Sequence, residues 1–467
     1  MSVLPVAARR SGASLTLLAL LGATVLTALA PGGPVVQAVV AYDGVAVHVP
    51  GVSVVAELSA IREAVVRGTT SALAKLAAAP GVLGVFPDDR VLLSGKAGGT
   101  GDGVPATEGL GGSAGKKGAG RGVTVAVVDT GVSDTQALSR GSGRLVDGVD
   151  TSPVSHGGAA VTAGEFADMH GHGTFMASLV AGGPVDGSGN AAVGVAPAAT
   201  VVVVKVADAA GDTSLSAVVA GLDWVAQHAA TIDVANVSFS HSRPGDGYGG
   251  DPLNAAVERV ADAGVVPVVS AGNTAGEVGD PGFDPRALTV GAADLKVNKP
   301  EVASFSGSAV VAGVQKPDLV ANGVSVLGVV PADSAVAREN PQAHAVGALW
   351  RGTGTSQATA IVSGAAALFL QAHRDATPAQ VKASLRTAAR DLPGSRDGQG
   401  LLDPTDKLVS GPDGSGLHGG GDLTGEGSFD ASSWSASSWS ASSWSASSWS
   451  ASSWSASSWS AAGWPAS

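Results

Sequence analysis

The 467-residue chain contains no cysteine. Disulfides, thiolate nucleophiles and Cys-ligated metal sites are therefore excluded, and redox chemistry gives no clue to compartment. Aromatic residues are scarce at 4%, and 27 Lys and Arg face 39 Asp and Glu, for a net charge of −12. That deficit of positive charge argues against nucleic acid or an anionic membrane surface as partner. Past residue 40 no apolar run is long enough, and free enough of Gly and charge, to cross a bilayer. Glycine and small aliphatic residues dominate instead: 67 Gly, and a hydrophobic content of 45% that suffices for a large core. The length allows about two or three domains.

The amino-terminus reads as an export signal. Arg9 and Arg10 precede an apolar run over 15–30 that is short for a membrane span. Small-x-small cleavage patterns end at Ala30 and Ala38. Pro31 disfavours the first, so a signal peptide over 1–38 is expected, leaving an exported chain with no stable membrane span. Residues 39–93 form a small region of their own, with alternation at Val45, Val47 and Val49, a helix-like piece over 58–76, and P-G-V-L-G-V-F-P-D-D-R-V-L-L ending at Leu93. A flexible linker, 94–114, opens a stretch rich in Gly, Ser and Lys.

From about 115 to 408 short Val-rich runs recur at 123–128, 201–206, 234–239, 265–270 and 288–292. They are too continuous for half-exposed strands and mark parallel strands covered on both faces. Helical patterns lie between them. Leu215, Val218, Val219, Leu222 and Val225 share one face, 253–263 is a second such stretch, and Thr377-Pro378-Ala379-Gln380 is a capping box with Pro at the first helical position. The alternation predicts an α/β domain with a doubly wound, mostly parallel sheet flanked by helices, whose reactive residues gather at the carboxyl ends of the strands. After 409 the composition collapses into a low-complexity tail, A-S-S-W-S repeated over 431–460, which holds most of the tryptophans. A five-residue period suits neither a helix face nor a strand, and the tail reads as disordered.

Within that frame four stretches carry candidate chemistry. V-T-V-A-V-V-D-T-G over 123–131 ends a buried strand on Asp129, a carboxylate that needs hydrogen bonds or a cation there. M-H-G-H-G-T over 169–174 offers His172 at the start of a small-residue helix. His170 invites a metal reading through its H-x-H spacing, but no third ligand stands nearby. V-V-P-V-V-S-A-G-N over 265–273 ends on Asn273, either a neutral hydrogen-bond donor or a left-handed turn asparagine. W-R-G-T-G-T-S over 350–356 feeds an uncharged helix with Ser356 at its amino-terminus. Taken alone, Ser356 is either an ordinary N-cap or a nucleophile whose own N–H helps hold an oxyanion.

Asp129-Thr-Gly, His172-Gly-Thr, Ser-Ala-Gly-Asn273 and Gly-Thr-Ser356, in that order, resemble the motifs of the subtilisin-like serine proteases, the subtilases. The similarity covers about 115–408, including K-P-D-L-V at Lys316 and G-Q-G-L-L-D at Gly398. It implies a serine endopeptidase working through an acyl-enzyme. Ser356 would be nucleophile, His172 general base and then acid, and Asp129 its orienting carboxylate, while Asn273 and the Ser356 N–H form the oxyanion hole. It further implies that substrate pairs as an added strand with the segment holding Ser238, Phe239 and Ser240, and that Ser270, Ala271 and Gly272 line the opposite wall of the first specificity pocket. Residues 39–93 resemble a small α+β subtilase propeptide, a chaperone and inhibitor removed by self-cleavage in the linker. The implied partners are protein or peptide substrates and the chain's own propeptide. No cofactor is needed for the chemistry, and structural calcium, frequent in the family, finds no ligand spacing around Asp186 or Asp212. Ala360, Ile361, Phe175 and Asn322 depart from the usual pattern, in positions without a chemical role.

Together these features predict a secreted, monomeric proenzyme. An alternative is a catalytically weak scaffold bound to the cell envelope through its Trp-rich tail. G-G-S-A-G over 111–115 is a literal G-x-S-x-G with Ser113, but it lacks the strand and helix of an esterase elbow. G-D-G-Y-G-G over 245–250 likewise lacks a dinucleotide-binding context.

Overall fold

In a computed structural model, residues 33–402 are described except 45–47, 94, 98–102, 109, 111–113, 157, 159–165, 186–191, 242–250, 297–298, 312 and 393–395. The apolar run at 15–30, Val45, Val47, Ser113, Asp186, the motif at 245–250 and the tail fall outside them.

The first unit is an antiparallel sheet of β1 (Val35–Tyr42), β2 (Val52–Leu58), β3 (Glu63–Thr69) and β4 (Val82–Pro87), in the order β2-β3-β1-β4, with α1 (Thr70–Ala77) packed on one face. Thr69 caps α1 by accepting from the Ala72 N–H at 3.2 Å. One expectation fails here. The helical reading of 58–76 holds only at its end, because β3 occupies Glu63–Thr69. Ala64 and Val66 pack with Leu73 and Leu76 of α1, while Ile61 and Val65 face the second unit, and apolar residues on both faces erase the alternation that marks a strand. A signal cut after Ala38 would sever β1, which begins at Val35 and has Val39 paired with Val65.

β5 (Arg90–Leu93) and β6 (Gly95–Ala97) lead into the second unit. Its strands include β7 (Thr124–Asp129), β8 (Leu145–Asp150), β9 (Thr200–Lys205), the short β10 (Thr213–Ser214), β11 (Val234–Val237), the short β12 (Phe239–Ser240), β13 (Val266–Ser270), β14 (Leu288–Asp294), β15 (Leu319–Asn322), β16 (Leu349–Gly354) and β17 (Leu401–Leu402). Eight of them lie parallel in the order β8-β9-β7-β11-β13-β14-β15-β17, with short antiparallel additions at Glu301–Val302 and Ala389–Arg390. Successive residues of β7 point to opposite faces. Val125 and Val127 pack with α2 (His172–Ala181), α5 (Thr355–Ala372) and α6 (Pro378–Ala388), whereas Ala126 and Val128 pack with α3 (Leu215–Gln227) and α4 (Pro252–Asp262). Helices thus cover both faces, as the continuous apolar runs require, and the fold is α/β. The capping box forms at α6, with Thr377 and Gln380 reciprocally bonded. β8 was not legible as a strand, since L-V-D-G-V-D lies at the sheet edge with Val146 and Asp147 exposed.

The first unit docks on α3 and α4. Ile61, Val65 and Leu58 share a core cluster with Val218, Val219, Leu222, Leu253 and Val257. Asp223 on α3 accepts from the N–H groups of Ala60 at 2.8 Å and Ile61 at 3.2 Å. Ser214, at the N-cap of α3, makes no capping bond with its side chain. The end of the helix is satisfied from the other unit instead: the Leu215 N–H donates to the Asp89 carbonyl at 2.9 Å, and the Ser216 N–H and hydroxyl donate to the Asp88 carboxylate at 2.8 and 2.7 Å.

Glu63 lies wholly buried in β3 with neither carboxyl oxygen hydrogen-bonded. Burial, with Asp251 and Asp223 adding repulsion, raises its pKa well above the carboxylate range. A group whose folded pKa is raised stabilises fully below its unfolded pKa, and that stability is lost as pH climbs toward the folded value. The intact Ser356→Ala chain should therefore unfold at progressively lower temperature as pH rises from acid to mildly alkaline. Glu63→Gln should flatten this slope, as measured by the unfolding midpoint at each pH.

Candidate active site

Asp129 is the last residue of β7 and has no solvent exposure. The chain turns away at Gly131, whose φ is +107°, and a Cβ there would lie 2.8 Å from the Phe166 carbonyl oxygen, so only glycine fits. One carboxylate oxygen of Asp129 accepts from the Thr130 N–H at 2.8 Å. The two oxygens stand 2.8 and 3.0 Å from Nδ1 of His172, the first residue of α2. A carboxylate can only accept, so this pairing fixes the proton on Nδ1 and leaves Nε2 with its lone pair. Nε2 is buried and without a hydrogen-bond partner. Burial pulls the His172 pKa down, but the Asp129 charge and hydrogen bond, with a smaller effect from Asp168, outweigh it and leave the pKa raised.

Asp168, which the sequence reading passed over, organises the turn that presents His172. Its carboxylate accepts from the Thr130 hydroxyl at 2.8 Å, the Gly171 N–H at 2.6 Å and the Thr174 N–H at 2.7 Å. Thr130 in turn accepts from the Gly173 N–H at 2.9 Å, tying the end of β7 to the start of α2. The legible signal was an acid just upstream of a helix lacking a side-chain cap of its own, since Gly171 occupies the N-cap.

Ser356 sits in the first turn of α5, fully buried, where helical N–H groups have no partner within the helix. Its hydroxyl donates to the Ser238 carbonyl at 3.2 Å, so the hydrogen bond to His172 is not made in this structure. The first turns of α2 and α5 meet at Gly352, where a Cβ would lie 2.6 Å from Nε2 of Gln357 and 2.8 Å from the Phe175 ring. Phe175, a departure from the family pattern, is accommodated there and again at Gly328, a Cβ on which would lie 2.8 Å from the ring.

Asn273 follows the end of β13 through Gly272, whose φ is +89°. Its Oδ1 accepts from the Thr355 N–H at 3.0 Å and the Thr355 hydroxyl at 3.1 Å. Because a backbone N–H only donates, the carbonyl end must face Thr355, and the amino end is left to donate elsewhere. Phe239 and Ser240 form β12, and Ser270 fastens it by donating to the Phe239 carbonyl at 3.0 Å. Ala271 and Gly272 are tied by their carbonyls to the N–H groups of Gly279 and Gly307 at 3.0 and 2.9 Å. A Cβ on Gly272 would lie 3.5 Å from Oγ of Ser240, so these two walls face each other closely. The His170 ring lies 6.4 Å from that of His172, and among the described residues no group of three or more His, Cys, Asp and Glu could hold a metal ion. Asp212 pairs with Arg90.

The model of the subtilase family matches residues 120–407, more than half of the chain. The chain is a subtilase. It is 33% identical over 292 residues to the serine protease AprX of Bacillus subtilis (strain 168), spanning 57% of this chain and 61% of that one. To subtilisin Savinase of Lederbergia lenta it is 34% identical over 287 residues, spanning 61% and 89%. Fervidolysin from Fervidobacterium pennivorans, described as a keratinolytic enzyme related to subtilisin, superposes with a TM-score of 0.62 at 25% identity, over 82% of this chain and 62% of the other. Against AprX and fervidolysin, then, this subtilase spans under two thirds of the relative's length. The first unit lies outside the family match, which begins at residue 120.

Replacing Asp168 by Ala would strand two N–H groups and a hydroxyl in a buried site, each costing about 1–3 kcal/mol. The Asp168→Ala subtilase should show a lower unfolding midpoint. It should also show a lower His172 pKa, because a charge that raises it is gone, and NMR titration of the ring would register that shift.

Proposed function

We propose that this subtilase is an exported serine endopeptidase, made as a proenzyme and processed by its own active site. Ser356 attacks the peptide carbonyl, His172 takes the hydroxyl proton at Nε2 and delivers it to the leaving amine, and water then hydrolyses the acyl-enzyme. Asp129 keeps His172 in the tautomer that can accept this proton, and stabilises the imidazolium that forms. For the step to begin, the Ser356 hydroxyl swings from the Ser238 carbonyl to Nε2, which also satisfies the polar atom now buried and unpaired. The amino group of Asn273 and the Ser356 N–H meet the oxyanion, and the position of Ser356 at a helix amino-terminus favours negative charge there.

The observation that carries this reading is the pairing of Asp129 with His172, formed at the carboxyl end of a parallel strand and beside the first turn of α5. In open α/β sheets, that edge is where ligands bind. Substrate lies antiparallel to Phe239 and Ser240, as β5 of the chain itself does. Residues 31–93 act as the propeptide, and the apolar run at 15–30 as the signal that sends the chain out of the cell. A cut after Ala30 keeps β1 whole. The catalytic groups need no metal or organic cofactor. The functional unit in this reading is a monomer.

A fluorophosphonate should label the wild-type protein at Ser356 and leave Ser356→Ala unlabelled; peptide mapping that finds the label elsewhere would overturn the assignment. The labelling rate should fall on the acid side, as His172 becomes protonated, with a midpoint above the ordinary histidine value because its pKa is raised. Asn273→Ala should lower kcat by about 10²–10³-fold, the size known from subtilisin itself for loss of one such donor, with little change in KM.

A further inference from the structure

The slot beside the nucleophile is blocked by a side chain of its own wall. The Ser356 hydroxyl donates to the Ser238 carbonyl at 3.2 Å, and Asn273 directly follows Gly272. Nucleophile and oxyanion donor therefore stand at the mouth of a slot, with residues 238–240 on one side and 270–272 on the other. A peptide that offers one carbonyl to both groups sends the side chain of the residue carrying that carbonyl into the slot.

What that side chain meets is Ser240. A Cβ on Gly272 would lie 3.5 Å from Oγ and 3.6 Å from Cβ of Ser240, and a Cβ on Gly279 would lie 2.6 Å from the same Cβ. Because a Cβ stands about 1.5 Å from its Cα, the Gly272 Cα is within about 5 Å of the Ser240 Oγ, and the Gly279 Cα within about 4 Å of the Ser240 Cβ. A slot that holds even one carbon in van der Waals contact on both sides must be about 7–8 Å across. The two glycines thus open no usable gap at this depth, since the serine opposite fills the space that their missing side chains would leave.

Nor can the slot widen cheaply, because its walls are bonded to each other. The Ser270 hydroxyl donates to the Phe239 carbonyl at 3.0 Å, and the Gly279 N–H donates to the Ala271 carbonyl at 3.0 Å. Beside Ser240 and Gly279, the N–H groups of His241 and Asp280 each donate to the other's carbonyl, at 2.8 and 3.0 Å. Parting the walls to admit an aromatic ring would break bonds between buried groups. We infer that Ser240 sets the substrate class of the subtilase: peptide chains with Gly, Ala or Ser on the amino side of the cut bond, a reading that rests on the peptidase assignment and adds the selectivity to it. The selection is one of size, imposed by contact with Ser240, and not one of charge.

The test uses the purified full chain, left to process itself, and two p-nitroanilide peptides that differ only in carrying Ala or Phe before the cut bond. The ratio of kcat/KM for the Ala peptide to that for the Phe peptide is independent of the fraction of active enzyme. It should be at least about tenfold in the wild type, as expected where a closed pocket must reject surplus methylenes, and should fall at least about tenfold in Ser240→Gly, which empties the slot. Ser240→Ala should keep the preference, since its Cβ still fills the slot. Casein cut by the wild type and mapped by mass spectrometry should show Gly, Ala or Ser before the cut bonds; if Ser240→Gly takes no fluorophosphonate, the wild-type ratio and this map decide alone. A wild type that labels at Ser356 yet cuts the Phe peptide as readily as the Ala peptide, or a labelled Ser240→Gly chain whose ratio stays at the wild-type value, would overturn the inference and leave the peptidase reading standing. A wild type that takes no label and cuts neither peptide would remove both.

Discussion

A carboxylate cut off from solvent at the end of a hydrophobic strand is the interaction on which the site is built. Asp129 has no water to solvate it, and leaving it unpaired would be costly. Its partners are the Nδ1–H of His172 and the Thr130 N–H. The glycines at 131 and 173 follow from that demand, because a side chain at 131 would meet the backbone of Phe166 and Ala167 and one at 173 would meet Gly131 and Asp129. Asp168 then fixes the start of α2 so that the imidazole meets the carboxylate squarely. Much of the local sequence between 129 and 174 can be read as the support of one hydrogen-bonded pair.

The sheet supplies the second constraint. A parallel strand hydrogen-bonded on both sides and covered by helices on both faces has nowhere to place chemistry except its ends. Asp129 and Asn273 each stand at or just past such an end, and Ser356 is brought to the same rim because β16 turns straight into α5. Neither the acid nor the amide is free to move. Asp129 is held by His172 and the Thr130 N–H, and Asn273 by Thr355, the residue beside Ser356. On the proposed reading, the oxyanion donor is thus tied by two hydrogen bonds to the residue that precedes the nucleophile.

Legibility in the sequence followed burial and periodicity. The central strands were readable because parallel strands inside two helical layers are apolar throughout, and α6 because its capping box is purely local. β3 was mistaken for helix, since it is apolar on both faces and so lacks alternation, and β8 was missed as a polar edge strand. At the site, Asp129, His172, Asn273 and Ser356 could be singled out because each stands at or beside an end of a recognisable element, and Asp129 and His172 do meet. Asp168 was passed over, as its role depends on three donors brought together only by the turn. The strand pairing of β5 with β12 was likewise beyond reach, because register between distant segments leaves no trace in either one.

The stretch from Asp88 to Leu93 grips the second unit twice, at the amino-terminus of α3 and along β12. Both grips sit upstream of residue 94. On the reading proposed above, breaking the chain would not by itself unlock the enzyme: the severed piece remains an occluding ligand, now noncovalent, and departs with a lifetime set by those contacts. Onset of activity would then be timed by escape or destruction of the fragment, a delay that the cell could tune without altering a single catalytic group.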